Sequence, residues 1–414
     1  MDAKDEKVFQ PPRICVVGGG FGGLFTALGL AGAGEVTLIS REDHFVFTPM
    51  LYEYVSGEVE AWHIAPHYNE LLDERVRFIR GDVTDVDFAA REVAIEGRMD
   101  RVAYDVLVLA VGGVSNYWGI EGAAEHATPF RKIEHAEALR QRMIDALDHI
   151  PPEAAPQDAR LATTFAVVGA GASGVELATK MSDLLHDAFR RRGLHGDPRV
   201  MLIEMGERVV PGMDDEIRAV VEDGLRSARI DVHTETRVLR VMPDGVLFEH
   251  NGEQQEVRTS AVVWTAGVKV SPLVEKLEVE KDGRGLLVVE PTLQLRGHKN
   301  VFALGDIAAY HDVVPTLSGT AQLAFQQSSL VIRNVQALLD GSVPGTKHFV
   351  ELGEAVSLGT ERAAVLAGGK VIDGALARQA RFALYTSRLP TWQHRLRVGA
   401  SWFFGGKAPR PLGL

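Results

Sequence analysis

Two glycine-rich segments of the chain have the residue spacing of dinucleotide-binding turns. Each reads G-x-G-x-x-G, the first over residues 18–23 and the second over residues 169–174. Each follows a short apolar run and opens an apolar-periodic stretch, which is the strand-turn-helix context that the motif requires. Glycines there permit a tight turn and let backbone N–H groups approach a pyrophosphate at a helix N-terminus. The pair predicts two bound dinucleotides; tight structural turns are the alternative.

In each candidate dinucleotide-binding domain, the residue after the second strand affects whether NADH or NADPH binds. Glu204 follows the apolar run 199–203, whereas the equivalent position after the first turn is Ser40, with Glu42 and Asp43 just beyond it. A carboxylate there pairs with a free ribose 2′-hydroxyl and repels a 2′-phosphate. Glu204 therefore predicts that the second site favours NADH, with NADPH left open.

Length and composition favour a globular protein of two or three domains. The chain has 414 residues, 46% of them hydrophobic, and a net charge of −12. This balance argues against nucleic acid as a partner, because phosphate binding needs a basic surface. Residues 1–12 lack the apolar stretch of a signal peptide, and no apolar run is long enough to span a bilayer. We expect neither export nor a membrane-spanning helix.

The single cysteine, Cys15, lies in the first apolar run and is expected to be a buried thiol. Flavoenzymes that reduce disulfides or oxidise sulfide generally need one or two positioned reactive thiols, and Cys15 alone cannot form an internal disulfide. Disulfide reductase chemistry and sulfide oxidation through paired cysteines are therefore excluded. His63 and His67 have a helical i, i+4 spacing, but Pro66 interrupts it and no third ligand is apparent. We therefore predict no metal site.

The C-terminal residues 375–414, here called the basic tail, have an unusual composition. They contain seven Lys or Arg and no Asp or Glu, with Trp392, Trp402 and neighbouring phenylalanines interleaved. If residues 376–389 form a helix, Arg378, Arg381 and Arg388 lie on one side of it. Arginine mixed with aromatic residues suits the headgroup layer of an anionic membrane. The alternatives are a dimer interface and a helix packed on the acidic body of the protein.

Several segments together resemble a known family. They are GGGFGG at 18–23, FTPMLY at 47–52, GVE at 174–176, WTAG at 264–267, GD at 305–306 and AQLAFQQ at 321–327. In this order, and over nearly the whole chain, they resemble flavoproteins with two dinucleotide-binding domains, and within these the type II NAD(P)H:quinone oxidoreductases. Residues 47–66 and 388–402 are similar to the demethylphylloquinone reductase branch of cyanobacteria and chloroplasts.

The resemblance implies an α/β fold with two Rossmann-like domains and a C-terminal membrane-associating segment. An FAD-binding domain would span 1–120 and 268–345, an NAD(P)H-binding domain 121–267, and a C-terminal domain 346–414. Hydride would pass from NADH to FAD, and two electrons would then reduce a naphthoquinone or plastoquinone, without proton pumping. The protein would lie peripherally on the cytoplasmic face of a membrane, with a homodimer left open.

Two rival functions remain open. One is a soluble reductase of the same fold that passes electrons to an iron–sulfur protein. The other is a non-catalytic NADH-binding redox sensor. Steady-state turnover separates the sensor from an enzyme, and the basic tail favours lipid over the protein acceptor.

The resemblance also implies site residues. Glu176 would orient groups or handle protons, or alternatively only complement the helix dipole. Gln322 and Gln326 share a helix face and can bond flavin or quinone carbonyls, or else serve in capping or solvent contact. The implied cofactor contacts are Gly18, Gly20, Phe21, Gly22, Gly23, Ser40, Arg41, Thr48, Val83, Ala110, Gly112, Gly305, Asp306, Gly169, Gly171, Ala172, Ser173, Gly174, Glu204 and Gly267.

Overall fold

The computed structural model describes residues 10–310, residues 319–404 and Leu412. Lys407 and Arg410 of the basic tail, and the side chains of Phe403 and Phe404, lie outside the described part. The chain forms two compact units. The first unit is drawn from Met1–Phe45, His67–Val114 and Val270–Glu351, and the second unit from Val46–Pro66, Ser115–Lys269 and Leu352–Leu414.

The elements are numbered in chain order. The strands are β1 (Arg13–Val17), β2 (Glu35–Ser40), β3 (Val76–Arg80), β4 (Val83–Asp87), β5 (Glu92–Ile95), β6 (Val102–Ala103), β7 (Val106–Leu109), β8 (Gly113–Ser115), β9 (Ala127–Pro129), β10 (Thr164–Val168), β11 (Arg199–Ile203), β12 (Asp231–His233), β13 (Thr236–Met242), β14 (Gly245–His250), β15 (Glu253–Arg258), β16 (Ala261–Trp264), β17 (Val268–Val270), β18 (Leu287–Val288), β19 (Val301–Ala303), β20 (Ala308–Ala309), β21 (Glu354–Ser357), β22 (Ala363–Ala367) and β23 (Lys370–Gly374). The helices are α1 (Phe21–Gly29), α2 (Leu51–Val55), α3 (Ala61–Ile64), α4 (Tyr68–Leu71), α5 (Ala123–His126), α6 (Ile133–Asp148), α7 (Pro156–Ala162), α8 (Ala172–Arg192), α9 (Asp215–Ser227), α10 (Pro272–Lys276), α11 (Ala321–Leu339), α12 (Ala375–Ser387) and α13 (Trp392–Phe404).

The first unit is built on a parallel five-stranded sheet in the order β19-β7-β1-β2-β3. The central strands β1 and β7 are almost wholly buried, as continuous apolar runs in a parallel sheet should be. Helices α1 and α11 pack together, with Gly29 giving room for the side chain of Ile332. A small antiparallel sheet, β4-β5-β6, completes the unit.

The second unit repeats this plan with a parallel sheet in the order β12-β11-β10-β16-β9. Helix α8 follows β10 as α1 follows β1 in the first unit. Two antiparallel sheets, β13-β14-β15 and β21-β22-β23, and the C-terminal helices α12 and α13 also belong to this unit. The predicted α/β fold with two Rossmann-like domains is confirmed.

The two glycine turns have matching backbone geometry. Gly18 has φ +103° and Gly169 has φ +101°, values that favour glycine. The N–H of Gly18 donates to the carbonyl of Ile39 at 2.8 Å, and the N–H of Gly169 donates to that of Ile203 at 2.8 Å. Each turn thus crosses to the second strand of its own sheet. In both units the following helix begins over the carboxyl ends of the strands.

None of the helices in the described ranges is long and apolar enough to cross a membrane. The longest, α8, carries charged side chains along much of its length.

Substitutions in the first glycine turn should distinguish the glycine that folding requires from a glycine that leaves room for a ligand. A Cβ on Gly23 would run into the carbonyl oxygen of Gly18, whereas a Cβ on Gly20 would meet nothing within 4 Å. We expect Gly23→Ala to lower the free energy of unfolding by about 1–3 kcal/mol. Gly20→Ala, the matched control, should change it by less than about 0.5 kcal/mol. Urea titration of the cofactor-free proteins measures both, and a Gly23→Ala protein as stable as its parent would contradict this account.

Candidate functional site

The first glycine turn ends in a helix start that suits a phosphate. Among the residues that the structure describes, Gly20 is the N-cap of α1, and the helix has no side-chain cap and no acidic residue in its first turn. Its first N–H groups are therefore left for an anion. Open space lies where Gly20 and Gly112 would carry a Cβ, and Gly18 lies against the backbone of Ala110. This uncapped cradle fits the pyrophosphate of FAD.

Ser40 and Tyr68 lie beside this turn. The Tyr68 hydroxyl donates to the carbonyl of Gly19 at 2.8 Å and also bonds with the Ser40 side chain. Burial raises the pKa of Tyr68 to about 12, so the hydroxyl stays protonated as a donor. Tyr68 was not predicted from the sequence, because it comes 49 residues after Gly19, whose carbonyl accepts its hydrogen bond.

The other candidate cofactor contacts divide between the two units. Arg41 forms an ion pair with Asp82 at 3.6 Å, and Val83 is buried at the start of β4, both within the first unit. Thr48 belongs to the second unit, in a short 3₁₀ turn, Thr48–Met50, that precedes α2.

The segment Gly305–Ile307, which contains Asp306, is held by a buried amide. The Gly305 N–H donates to Oε1 of Gln327 at 2.7 Å, and Gln327 is fully buried. Gly305 has φ +75°, so its glycine is required by the turn. Gln327 directly follows Gln326 in α11, and its role was not predicted from the sequence.

Gln322 and Gln326 lie on one face of α11, as their spacing predicts, and both contact Val350. Nε2 of Gln326 donates to the Val350 carbonyl at 2.7 Å, and its Oε1 accepts from the Val350 N–H at 3.2 Å. Nε2 of Gln322 donates to the same carbonyl at 3.3 Å. Their contact with flavin or quinone carbonyls stays a prediction.

The second glycine turn is bordered by Glu204. One carboxylate oxygen accepts from the N–H of Ala170 at 2.7 Å, and the other accepts from that of Gly206 at 2.8 Å. Each oxygen keeps a free lone pair for a ribose hydroxyl. Gly171 is the N-cap of α8, and in the described part of the chain this helix has neither a side-chain cap nor an acidic first-turn residue. This arrangement fits the adenosine ribose and pyrophosphate of NADH.

Two further candidates lie along the same turn, and a third, Gly267, follows β16 beside it. Ser173 lies in the first turn of α8, near the hydroxyl of Tyr52, a buried residue of α2. Ala172 is the first residue of α8. Gly267 has φ +91° and lies against the indole of Trp118.

Glu176 lies five residues into α8 rather than in its first turn. It is 5% exposed, and its Oε1 accepts from the Ser357 N–H at 2.8 Å and from Arg381 at 2.7 Å. Burial raises the pKa of Glu176 to about 7, although Arg381 opposes the shift. Ser357 and Arg381 act on the side chain in addition to the helix dipole, and its role in orienting groups or handling protons stays a prediction.

Glu176 belongs to a set of six charged side chains, here called the ion cluster. Its members are Glu53, Glu58, Glu176, Lys180, Arg378 and Arg381. Arg381, 4% exposed, pairs with Glu53 and with Glu176. Lys180, 1% exposed, lies 3.7 Å from Glu53 and pairs with Glu58. Three carboxylates and three cations balance, which is what permits charges to be buried.

The electrostatics of the ion cluster follow from this pairing. Burial works against charge on Glu58, but Lys180, Ser56 and Arg378 together hold the pKa of Glu58 below its ordinary value. Glu176 and Glu53 hold the pKa of Arg381 well above its ordinary value despite its burial. Arg381 is therefore a permanent cation, and Glu176 is the member that titrates near neutral pH.

The ion cluster changes the interpretation of the basic tail. Arg381 is turned inward, and Arg378 is bonded to Glu58 at 2.8 Å. These two arginines therefore follow the alternative of a helix packed on acidic groups. The sequence analysis missed Glu53, Glu58 and Lys180, because no local pattern connects them with residues of α12.

Two smaller expectations concern His63 and Cys15. Nδ1 of His63 accepts from the Glu60 N–H at 2.7 Å, Nε2 lies 3.1 Å from Oγ of Ser401, and burial lowers its pKa to about 4. Within the described ranges, no three His, Cys, Asp or Glu residues are grouped to hold a metal. Cys15 is 1% exposed in β1, and burial raises its pKa to about 12, so the thiol is inert.

Removing the guanidinium of Arg381 should destabilise the protein more at high pH than at low pH. Arg381→Met leaves Glu53 and Glu176 short of a partner, at a cost of about 3–5 kcal/mol at pH 8. A carboxyl whose pKa is raised in the folded state favours folding below its unfolded value of 4.5, and that contribution is lost as pH rises through about 7. The deficit should therefore shrink between pH 8 and pH 5. Thermal unfolding across this range measures it.

Two controls accompany this variant. Arg381→Lys keeps the charge and should recover part of the loss. Arg388→Met removes an arginine that makes no ion pair among the described residues and should be nearly neutral. A loss for Arg381→Met that is the same at both pH values would contradict the assignment.

The chain matches known proteins over most of its length. The family model described as pyridine nucleotide-disulphide oxidoreductase matches residues 12–328. A curated relative, demethylphylloquinone reductase NdbB of Synechocystis sp., is 36% identical, with 97% of each chain covered. Another, the alternative NAD(P)H-ubiquinone oxidoreductase C1 of Arabidopsis thaliana, is 32% identical over 95% of this chain and 80% of the relative.

A solved structure agrees with the fold. NDH2 from Plasmodium falciparum, in complex with NADH, superposes with a TM-score of 0.83 at 18% identity, covering 97% of this chain and all of that one (100%). The chain therefore belongs to the pyridine nucleotide-disulphide oxidoreductase family, and within it to the type II NAD(P)H:quinone oxidoreductases.

Proposed function

We propose that this protein oxidises NADH and reduces a membrane quinone of the naphthoquinone or plastoquinone class, with FAD as its resident cofactor. The observation that carries the proposal is the pair of glycine turns, each followed by a helix without a side-chain cap, in a chain whose one cysteine is buried in β1. Two dinucleotides can bind, and no thiol can accept their electrons. The relatives named as quinone and demethylphylloquinone reductases support the choice of acceptor.

Different parts of the chain bind FAD and NADH. FAD, when bound, accepts a hydride and passes two electrons on. The first unit offers its turn at residues 18–23 to the FAD pyrophosphate. We assign the FAD-binding domain to residues 1–120 and 268–345, the NAD(P)H-binding domain to 121–267 and the C-terminal domain to 346–414. Glu204 selects NADH, since its carboxylate would repel a 2′-phosphate.

Quinone reduction consumes protons, and Glu176 suits their handling. Its pKa of about 7 leaves it partly protonated at neutral pH, so its carboxyl can release or take up a proton. Arg381 and Ser357 stabilise the anion after release, through bonds of 2.7 and 2.8 Å to the same oxygen. Gln322 and Gln326 add neutral amides on α11, which can orient a carbonyl group without adding charge.

Anaerobic stopped-flow absorbance tests this proposal. NADH should bleach the FAD band rapidly, and menadione or a plastoquinone analogue should restore it. We expect kcat/KM for NADH to exceed that for NADPH by about 10-fold, and Glu204→Gln to remove most of the difference. Glu207→Gln, an exposed residue of the same loop, is the matched control and should leave the ratio unchanged.

The outcomes separate the rival functions. Bleaching without reoxidation by quinone would favour an iron–sulfur protein as acceptor. NADH binding without any bleaching would favour a redox sensor. An unchanged nucleotide ratio in Glu204→Gln would remove the role of that carboxylate.

The second unit also supports peripheral attachment to a membrane, which we place on the cytoplasmic face, where NADH is available. Leu376, Trp392 and Leu396 are 77%, 65% and 63% exposed, and the last two are one turn apart on α13. Arg397 is exposed nearby along the same helix. The basic tail carries no acidic residue. Exposed apolar groups flanked by arginine suit an anionic lipid surface, while a homodimer contact is the competing use.

Replacing the exposed apolar groups should release the protein from lipid. Trp392→Ser combined with Leu396→Ser should weaken binding to phosphatidylglycerol vesicles by at least about 10-fold, because both side chains lose apolar burial. Met99→Ser combined with Val343→Ser, at 101% and 90% exposed positions of the first unit, is the control. Vesicle co-sedimentation measures binding. Undiminished binding, or a dimer that dissociates in the double variant, would favour a protein interface.

A further inference from the structure

Trp118 is an exposed tryptophan with an unusual backbone conformation, and the proposed function does not use it. It lies in the second unit between β8 and α5, and it is 67% exposed. Its φ is +54°, in the left-handed region that a bulky side chain rarely adopts. Strained residues of this kind persist where surrounding contacts impose them, and they concentrate at ligand sites.

The surrounding contacts hold the indole in one place. The backbone N–H of Trp118 donates to Oδ1 of Asn116 at 3.0 Å, and its indole N–H donates to the carbonyl of Ala266 at 3.0 Å. Trp264 donates to the Asn116 carbonyl at 2.8 Å and to the same Ala266 carbonyl at 3.1 Å. The ring lies so near Gly267 that a Cβ there would be 2.9 Å from it. The indole is thus anchored at its edge and by contact with Gly267, and two thirds of the residue faces solvent.

The position of this ring relative to the second turn follows from the sheet order. Going across the sheet, Glu204 follows β11, the glycine turn follows β10, and Ala266 and Gly267 follow β16. Gly169 packs closely on the backbone of Ala266: a Cβ at Gly169 would lie 2.9 Å from the Ala266 backbone. A dinucleotide in this fold lies across the carboxyl ends of the strands, with its adenosine ribose at the acid after the second strand. Its other half must extend past β10 towards β16, which is where Trp118 lies.

We propose that Trp118 is a binding residue for the nicotinamide half of NADH, against which the nicotinamide ring or its ribose packs. The inference rests on the proposed function, because it takes NADH to be the ligand of the second turn. An indole offers a large flat face at little cost in conformational freedom, and here its hydrogen bond to Ala266 sets the orientation before the ligand arrives. Glu204 and Trp118 would then hold opposite halves of one molecule.

Tryptophan fluorescence and steady-state kinetics on the FAD-loaded enzyme test this inference. Trp118→Asn removes the ring and puts a residue that tolerates positive φ at the strained position, so it should fold at least as well as the parent. We expect it to raise KM for NADH by about 3- to 10-fold, with KM for menadione unchanged. Because NADH absorbs where tryptophan emits, quenching of emission by NADH should also fall sharply. Trp118→Phe should keep most of the affinity while losing the quenching.

The control is Trp62→Phe, which removes another indole of the second unit, one that packs on Arg397 at 5.2 Å. It should leave KM for NADH and the quenching close to those of the parent. If Trp118→Asn leaves KM and quenching unchanged, Trp118 only braces the loop at Gly267, and the inference fails. If the parent enzyme itself is not bleached by NADH, the proposed function fails instead.

Discussion

Close approach of backbone to backbone at the two glycine turns is the constraint on which both ligand sites depend. Gly18 lies against Ala110, and Gly169 lies against Ala266, in each case with no room for a side chain. This contact brings the turn onto the end of the neighbouring strand on one side, β7 or β16, while its N–H bonds to the end of the strand on the other side, β2 or β11. The helix that follows then begins over the strand ends with no side-chain cap among the described residues, and an anion is favoured there.

The ion cluster has a different role in the second unit. Burying three carboxylates is costly unless cations accompany them, and two of the three cations come from α12. The first part of the basic tail is therefore built into the fold of this unit. Within the basic tail, Arg378 and Arg381 are directed at carboxylates, whereas Arg397 is exposed at the surface. The balance of charge also leaves Glu176 able to titrate near neutral pH.

The features that could be predicted are those whose chemistry is local in the chain. A turn of glycines between an apolar run and a helix can be recognised from about a dozen residues of sequence. Glu204 can be recognised in the same way, because it directly follows the next apolar strand. Tyr68, Gln327 and Trp118 could not be predicted in this way. Each acts on a backbone carbonyl or N–H that lies far away along the sequence, as Trp118 does on Ala266, 148 residues later.

The amino-acid sequence by itself determined the two Rossmann-like domains, the family, the acid at the second site and the exclusion of disulfide chemistry, because glycine spacing, strand ends and a lone cysteine carry those properties without reference to partners. Only the tertiary structure decided which charges are neutralised. Arg381 and Glu53 are 328 residues apart in the chain and share a bond in the fold. The sequence does not distinguish an arginine that faces lipid from one that pairs with a buried carboxylate, since the free energy of the guanidinium depends on the groups and the solvent around it.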